Sequence, residues 1–308
     1  MDRKLAITGG AGFIGSNLAE ALAADNQVVV IDDLSFGRLE NLEGIDARFI
    51  EGSILNLDLL RSAFVDVDVV FHHAAVASVQ RSVQNPIGAG RIGTEGTLNV
   101  LMAARDAGVR KVVFASSAAV YGDSPKLPKD EEICPKPLSP YAISKLAGEL
   151  HCKVFKELYG LETVALRYFN VFGPRQDPTS EYSGVISRFT SAASRGEQPV
   201  IYGDGEQARD FVYVKDVVRA NILAGSLGSG VYNIASGRRT SLNQLATLIG
   251  KILGRELQPE HIDPRPGDIR ESLADISKAE EIGYRPEFIL EEALAETIRW
   301  FSGSTTSP

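Results

Sequence analysis

The segment from Thr8 to Gly15, with the sequence TGGAGFIG, constrains the fold of this chain more than any other feature. It follows an apolar, strand-like run at Lys4–Ile7 and opens an apolar, helix-like stretch at Phe13–Leu22. Glycines between a strand and a helix allow a tight turn and let a pyrophosphate approach the helix N-terminus, where free amide groups and the helix dipole favour an anion. The segment therefore predicts the first β–α unit of a dinucleotide-binding sheet.

A second apolar strand, Val28–Ile31, ends at Asp32. An acidic side chain about 20 residues after such a glycine segment binds the adenosine ribose hydroxyls, and its charge repels a 2′-phosphate. The alternative for Asp32 is a helix cap or a turn residue. We expect NAD rather than NADP as the cofactor, with Arg38 nearby as the residue that would favour NADP.

Apolar strand candidates alternate with helical stretches through the first half of the chain. The candidate strands are Lys4–Thr8, Val28–Asp32, Ala47–Glu51, Val67–His72, Lys111–Ser116 and Glu162–Tyr168, and the candidate helices are Phe13–Ala24, Asp58–Phe64, Thr94–Ala107 and Pro140–Tyr159. This alternation is typical of a parallel, doubly wound α/β sheet of the Rossmann type. Ligands of such sheets bind beyond the carboxyl ends of the strands.

In the second half, prolines separate shorter elements, with helices expected at Leu242–Leu253 and Leu290–Phe301. We therefore predict an NAD-binding domain over residues 1–172 and a smaller mixed α/β substrate lobe over residues 173–308. The stretch 210–236, a short apolar run followed by a helix, is expected to pack back on the first domain.

The segment SPYAISK places Tyr141 and Lys145 four residues apart, so on a helix both side chains lie on one face. An ammonium beside a phenol favours the phenolate, and such a Tyr can act as a base well below its usual pKa of about 10. The spacing alone is common, and a half-buried Tyr with a solvated Lys is the alternative. Combined with the dinucleotide segment upstream, the pair predicts a redox enzyme.

Bulk properties exclude several classes of function. The 308 residues suffice for a large core, and no apolar run reaches the roughly 20 residues that cross a bilayer. Cys134 and Cys152 are too few for a disulfide framework, and the four histidines lack zinc-ligand spacing. The net charge of −8 argues against a nucleic-acid groove. The first strand begins too early for a secretory signal. We expect a cytoplasmic enzyme without a metal, a membrane or a nucleic-acid partner.

Taken together, these motifs resemble those of the extended short-chain dehydrogenase/reductases, and among them the nucleotide-sugar 4-epimerases, over nearly the whole chain. The segment SSAAVYG, which begins at Ser116, resembles the strand end that carries the catalytic Ser, and RYFN, which ends at Asn170, resembles the segment whose Asn reaches the substrate phosphates. Arg209–Phe211 and Arg265–Asp268 resemble the second-lobe motifs that clamp a uridine diphosphate.

The resemblance implies a role for each matched residue. The catalytic residues are Ser117, Tyr141 and Lys145; the NAD-binding residues are Gly9, Gly12, Phe13, Ile14, Gly15, Asp32, Asp33, Ser53, Ile54, Ala74, Ala75, Lys145 and Tyr168; and the residues for the UDP-sugar are Ser78, Ser117, Tyr141, Asn170, Arg209, Arg265, Asp268 and Ser272. It also implies transient oxidation at sugar C4, return of the hydride on the other face with NAD retained, and a homodimer formed through Pro140–Tyr159 against Thr94–Ala107.

Several positions depart from the family pattern or narrow the substrate. Ser53 replaces an Asp near the adenine, Gly93 replaces an Asn, and Ala77 replaces a Lys beside the substrate phosphates. Ala118–Ala119 stands where sugar-nucleotide dehydratases carry an acidic pair. Ser272 matches a pocket-wall position at which Tyr restricts relatives to the plain hexose, whereas a small residue admits a 2-acetamido group.

We therefore expect UDP-N-acetylglucosamine and UDP-N-acetylgalactosamine as the substrates. A UDP-glucose/UDP-galactose 4-epimerase is the nearest alternative, and a UDP-glucuronate 4-epimerase is a weaker one. A non-catalytic NAD-binding sensor is the alternative from another class, and it does not require the Ser117, Tyr141 and Lys145 that this chain keeps.

Overall fold

The computed structural model of the chain describes residues 3–177, 184–264 and 270–304. Its strands are β1 (Lys4–Thr8), β2 (Gln27–Asp32), β3 (Ala47–Glu51), β4 (Val69–His72), β5 (Lys111–Ser117), β6 (Glu162–Tyr168), β7 (Asn170–Phe172), β8 (Val200–Tyr202), β9 (Ala208–Arg209), β10 (Phe211–Tyr213), β11 (Gly230–Ile234), β12 (Thr240–Ser241) and β13 (Glu260–Ile262). Seven of them form one sheet in the order β3-β2-β1-β4-β5-β6-β11, and all neighbours pair in parallel. This confirms the predicted doubly wound α/β fold.

The helices cover both faces of that sheet and build much of the rest of the molecule. They are α1 (Phe13–Ala23), α2 (Leu57–Ala63), α3 (Val79–Gln84), α4 (Pro86–Gly90), α5 (Gly96–Asp106), α6 (Pro140–Tyr159), α7 (Val185–Ser194), α8 (Val214–Ala224), α9 (Leu242–Ile252), α10 (Ser277–Glu281) and α11 (Leu290–Ser304). No helix among the described residues is long and apolar enough to cross a membrane.

Apolar side chains point alternately to the two faces of the strands and form two cores. Ile7 and Val30 pack with Leu18 of α1 on one face, whereas Ala6 and Val29 belong to the cluster on the other face. A parallel sheet covered on both faces requires strands that are apolar at nearly every position, and the strand sequences have this character. The carboxyl ends of the strands are therefore the part of the sheet left for polar side chains.

The strand order reverses beside β1, which has β2 on one side and β4 on the other. In open α/β sheets a crevice opens at this switch point, because successive connections leave the sheet in opposite directions. The glycine segment follows β1 and Asp32 ends β2. The fold thus brings the first two predicted cofactor elements to one crevice.

Helix α6 carries Tyr141 and Lys145, and local sequence fixes both of its ends. The Ser139 hydroxyl accepts a hydrogen bond from the Ala142 amide, and Pro140 occupies the first turn, where its missing N–H costs nothing. Gly160 ends the helix with a φ of +70°, a conformation that glycine adopts without strain. The helix therefore has the same bounds as predicted.

The predicted helix Thr94–Ala107 differs from the structure at its beginning. A π-helical turn at Arg91–Glu95 precedes α5. Gly93 lies in this turn, and a Cβ built on it would stand 2.5 Å from the Cβ of Ser144 in α6. The wide turn and the close approach of two helices depend on the absence of a side chain at position 93.

Shorter elements lie outside the seven-stranded sheet. Three two-stranded sheets pair β7 with β10, β8 with β13 and β9 with β12, and helices α7, α9 and α11 pack around Phe189, Leu245 and Leu294. Strand β11 and helix α8 belong instead to the main sheet and its covering layer. The division into an NAD-binding domain over residues 1–172 and a substrate lobe over residues 173–308 stays a prediction.

Candidate active site

A cleft lies along the carboxyl ends of β1, β2, β4, β5 and β6. Fourteen of the residues proposed for the cofactor, the substrate or catalysis line it: Gly9, Gly12, Phe13, Ile14, Gly15, Asp32, Asp33, Ile54, Ala74, Ala75, Ser78, Tyr141, Lys145 and Tyr168. The same cleft thus contains the glycine segment at one end and the Tyr141–Lys145 pair at the other.

The glycine segment packs too tightly for side chains. A Cβ on Gly15 would stand 2.2 Å from the Gly9 carbonyl oxygen, and a Cβ on Gly9 would stand 2.5 Å from the Ala74 amide nitrogen. Gly9 also has a φ of +72°. The backbone turn therefore closes directly against the loop after β4, and Gly12 stands at the N-terminus of α1 beside the cleft. This is a cradle suited to a dinucleotide pyrophosphate.

The Asp32 carboxylate is fixed at the end of β2. It accepts hydrogen bonds from the Ala11 amide at 3.0 Å and the Leu34 amide at 2.9 Å. Burial raises its pKa, and those two hydrogen bonds act in the opposite direction. Arg38, which would favour a 2′-phosphate, forms an ion pair with Asp177 at 2.8 Å. The fixed Asp32 carboxylate and the pairing of Arg38 with Asp177 favour NAD over NADP.

Strand β5 and helix α6 bring the three proposed catalytic residues together. Ser117 ends β5 and forms a side-chain hydrogen bond with Tyr141. The Lys145 ammonium donates to the Ala115 carbonyl oxygen at 2.6 Å and lies 5.8 Å from the centre of the Tyr141 ring. Because Lys145 bonds the strand backbone, its charge is held beside the phenol without a direct bond to it.

The protonation of this pair differs from the sequence-based prediction. Burial raises the pKa of Tyr141, and the hydrogen bond with Ser117 lowers it only in part. Burial lowers the pKa of Lys145 to about 8, while the Glu149 carboxylate acts to raise it. The prediction that Lys145 brings the Tyr141 pKa below its ordinary value is therefore wrong for this structure, because desolvation of the phenol outweighs the effects that favour the phenolate.

His72, which ends β4, and His73, which follows it and lines the cleft, are two neutral side chains in hydrogen-bonded contacts. His72 is buried between the hydroxyls of Thr8 and Thr97, at 2.7 Å and 3.0 Å. His73 lies 3.1 Å from the Tyr168 hydroxyl, which donates to Asn221. Burial, followed by the charge of Lys145, lowers the pKa of His73 to about 3. Both side chains therefore position neighbours rather than exchange protons.

Five predicted residues lie outside the lining of this cleft within the described ranges, and one of them, Ser117, is the residue that forms the hydrogen bond with Tyr141. The Ser53 hydroxyl accepts from the Leu55 amide in its own turn. Asn170 donates its side-chain amide to the Asp210 carbonyl oxygen, and Arg209 donates to the Ala208 carbonyl oxygen. The Ser272 amide also donates to Ala208, so Ser272 runs beside the Arg209 strand. Arg265 and Asp268 lie outside the described residues.

Other residues of the cleft were missed by sequence reasoning. Phe36, Gly37 and Ile92 line its first-domain side, whereas Gln176 and Asp177 reach it from the loop after β7. Gly37 approaches Asp32 closely, since a Cβ on it would stand 2.9 Å from a carboxylate oxygen. A glycine shortly after the acidic residue was therefore a usable signal. Gln176 and Asp177 had no such signal in the sequence, because their position in the cleft depends on the tertiary fold.

The described residues contain no group of three or more His, Cys, Asp or Glu side chains that could hold a metal ion. The titratable groups that line the cleft include the half-buried phenol of Tyr141, the buried ammonium of Lys145 and the Asp32 carboxylate. With the glycine cradle, this set can bind a dinucleotide and move a proton at a hydroxyl beside it.

Comparisons with known proteins agree with this geometry. The family model described as "NAD dependent epimerase/dehydratase family" matches residues 5–235. The chain is 45% identical to the UDP-N-acetylglucosamine 4-epimerase from Methanobrevibacter ruminantium M1, crystallised with UDP-N-acetylmuramic acid; the match covers 98% of this chain and 99% of that one, with a TM-score of 0.96. It is 42% identical to the Thermotoga maritima UDP-glucose 4-epimerase bound to UDP-glucose, over 98% and 99% of the two chains with a TM-score of 0.94. The Mycolicibacterium smegmatis UDP-glucose 4-epimerase is 42% identical over 96% of this chain and 97% of its own length.

Proposed function

Because the chain belongs to the NAD dependent epimerase/dehydratase family and is an NAD-dependent UDP-sugar 4-epimerase, we propose that it interconverts UDP-N-acetylglucosamine and UDP-N-acetylgalactosamine. The observation that supports this substrate is the small side chain of Ser272, half-buried on the segment that runs beside Arg209. A Tyr ring at this position would fill the space that a 2-acetamido group needs. The 45% identity to a UDP-N-acetylglucosamine 4-epimerase supports the same choice.

In the proposed reaction, Tyr141 accepts the proton of the sugar 4-hydroxyl, and Ser117, hydrogen-bonded to Tyr141, orients that hydroxyl. Bound NAD supplies the hydride acceptor at C4 and, through its positive ring, a charge that lowers the phenol pKa. Lys145 adds a second positive charge, fixed by the Ala115 carbonyl. The 4-keto sugar then turns about its diphosphate, and Tyr141 returns the proton when C4 is reduced on its other face.

The residues proposed to hold NAD are Ser53 and the cleft-lining residues named above other than Ser78 and Tyr141. Those proposed to hold the UDP-sugar are Ser78, Ser117, Tyr141, Asn170, Arg209, Arg265, Asp268 and Ser272. Support comes from Ser78, which is buried at the N-terminus of α3 within the cleft. Asn170 and Arg209 support it also, since both flank the Asp210 segment of the smaller lobe.

The proposed chemistry stops at epimerisation. Elimination of the 6-hydroxyl needs an acid beside Ser117, and Ala118–Ala119 occupies the 3-10 turn that follows it. Neither alanine side chain can donate a proton. We therefore expect no 4-keto-6-deoxy sugar among the products.

A UDP-glucose/UDP-galactose 4-epimerase is the second candidate, because two of the relatives above at 42% identity carry that name. The test is to incubate the purified protein, without added NAD, separately with UDP-N-acetylglucosamine and UDP-glucose, and to resolve the epimers by chromatography. We expect conversion of the acetamido sugar at least as fast as that of UDP-glucose. Conversion of UDP-glucose alone would select the second candidate. No conversion of either sugar, with NAD supplied, would contradict the proposed activity.

We also propose that the enzyme is a homodimer that pairs around α6. Apolar side chains two helical turns apart are exposed along this helix, with 55% of Ile143, 56% of Leu150 and 70% of Leu158 accessible. Val83 and Ile87, on α3 and α4 beside it, are 61% and 78% exposed. Such a continuous apolar face is expected to be covered by a second copy. Sedimentation of Leu150→Glu should then give a monomer, and an unchanged sedimentation coefficient would contradict the proposal.

A further inference from the structure

Strand β5 and helix α6 meet at three successive points. Ala115 accepts a hydrogen bond from Lys145, Ser116 donates its hydroxyl to Glu149, and Ser117 is hydrogen-bonded to Tyr141. The helix residues are spaced four apart and therefore share one face, while the strand residues are consecutive. Two of the three points contain the proposed catalytic residues. The third, at Glu149, has no role in the mechanism above.

Glu149 is a buried carboxylate, and each of its two oxygens accepts at least one hydrogen bond. Arg167 of β6 pairs with it in a bidentate fashion, with N–O distances of 2.8 Å and 2.7 Å. Only 4% of each side chain is exposed. Arg167 is in register with Ser116 across the parallel β5–β6 pair, and its guanidinium stacks on the Tyr121 ring at 4.7 Å. The Glu149–Arg167 pair is rigid, because its charge-assisted hydrogen bonds are formed between two buried side chains.

The charge of Glu149 faces the proposed catalytic Lys. Lys145 is one turn earlier on α6, and Glu149 is the carboxylate that acts on its pKa, opposing the effect of burial. The other titratable groups near this ammonium within the described ranges are Tyr141 on the same helix and His72 and His73 at the end of β4. Burial lowers the pKa of both histidines and favours their neutral form, and an imidazole carries no negative charge that could compensate the ammonium.

We propose that Glu149 is a positioning residue for this reaction: held by Arg167 and Ser116, its carboxylate supplies the fixed negative charge opposite the buried Lys145 ammonium and aligns α6 so that Tyr141 meets Ser117. The inference rests on the proposed function for the reaction that it serves. Glu149 touches neither substrate nor cofactor in this account; it acts through Lys145 and through the strand residue that precedes Ser117.

Two substitutions that break the same ion pair test the proposal, because they have opposite electrostatic effects. Glu149→Gln removes the negative charge and leaves the Arg167 cation, so the pKa of Lys145 should fall and the alkaline limb of the kcat profile should move to lower pH by about one unit. Arg167→Met leaves the carboxylate, so the limb should stay in place or move to higher pH. If the ion pair were purely structural, both variants would lose kcat equally, and the alkaline limb of the kcat profile would not shift in either.

A second readout does not depend on sugar turnover. A Lys whose pKa is depressed in the folded protein makes the protein gain stability as the pH rises from that pKa toward its ordinary value of about 10.4. In melting experiments on the holoenzyme, this rise should begin at lower pH for Glu149→Gln and not for Arg167→Met. If the wild-type protein epimerises no UDP-sugar, the proposed function fails, and the two melting profiles still decide the role of Glu149.

Control variants complete the design. Glu157→Gln makes the same chemical change on the same helix at a side chain that is 61% exposed, and it should leave both profiles unchanged. Glu149→Asp keeps the charge and should keep the wild-type limb with a lower kcat. Glu149→Met also removes the charge and takes the place of Glu149→Gln if that variant does not fold. The proposal would be overturned if the alkaline limb of the kcat profile and the melting profile shifted in the same way in Glu149→Gln and Arg167→Met, or shifted in neither variant.

Discussion

The proposed cofactor side and the proposed substrate side of this enzyme are built in different ways. The glycine segment, Asp32 and helix α6 lie at the carboxyl edge of one seven-stranded parallel sheet or pack directly on it. Asn170, Arg209 and Ser272 lie instead on strands of two or three residues or on an isolated bridge segment. A wide sheet fixes its edge by many backbone hydrogen bonds, whereas short pairs depend on local packing. Changes on the cofactor side should therefore affect every substrate alike, and changes on the substrate side should alter selectivity.

The largest effect is expected for Tyr141→Phe. Loss of the proton-transfer hydroxyl should lower turnover roughly 10²–10⁴-fold for every UDP-sugar, while bound NAD remains. Initial rates with two sugars and the NAD content of the denatured protein measure this. Tyr159→Phe, at the exposed end of the same helix, is the matched control and should retain full turnover. A loss of turnover for one sugar alone would contradict the expectation that changes on the cofactor side affect every substrate alike. Turnover of Tyr141→Phe equal to that of the wild type would favour a non-catalytic sensor.

A methyl group in the glycine cradle should have the next largest effect. In Gly15→Ala the new Cβ would stand 2.2 Å from the Gly9 carbonyl oxygen, so backbone must move, at a cost of about 1–3 kcal/mol. We expect at least ~10-fold weaker NAD binding and a loss common to all sugars. In Gly90→Ala the Cβ meets no atom within 4 Å, and this control should bind NAD normally. Normal NAD content in Gly15→Ala would contradict the assignment of the cradle.

Ser272→Tyr tests the substrate side. The ring should exclude the acetamido group and lower kcat/KM for UDP-N-acetylglucosamine by roughly 10–200-fold, while UDP-glucose is still converted. Ser272→Ala keeps the position small and should accept both sugars. The quantity to compare is the ratio of the two kcat/KM values in each variant. An equal loss for both sugars in Ser272→Tyr would remove the role of this position in selectivity.

The smallest effect is expected at the contact between the π-helical turn and α6. Gly93→Ala should destabilise the fold by about 1–3 kcal/mol, because its Cβ would stand 2.5 Å from Ser144. Ser144→Gly removes the atoms in the way at a helix-propensity cost of about 1 kcal/mol. Denaturant unfolding of both single variants and the double variant should give a double variant more stable than the sum of the two losses predicts. Additive losses would mean that the two positions do not share this space.

Sequence reasoning reached far on the cofactor side, since its signals are local. A glycine segment between a strand and a helix, an acid at the end of β2 and a Tyr–Lys spacing on one helix are each contained in a short stretch, and strand alternation places them at one edge. Side-chain partners from distant segments were out of reach. The Arg38–Asp177 ion pair and the Lys145 bond to Ala115 depend on loops and registers that only the folded chain defines.

The pKa of Tyr141 shows the same limit. The spacing of Tyr141 and Lys145 predicts a stabilised phenolate, but it contains no information on how deeply the ring is buried. In the structure, burial decides the direction of the shift. The substrate residues show a further limit, because their short strands give weak periodic signals and were recognised through the family resemblance instead.

The proposed reaction requires that hydride leaves C4 and returns to it within one active site, and isotopic labelling tests this requirement. UDP-N-acetylglucosamine carrying deuterium at C4 is incubated with the purified holoenzyme in ordinary water, and the epimer is analysed by NMR and mass spectrometry. We expect the UDP-N-acetylgalactosamine product to keep the deuterium at C4. Replacement of that deuterium by solvent hydrogen, or its appearance in reduced cofactor free in solution, would contradict hydride return within one active site.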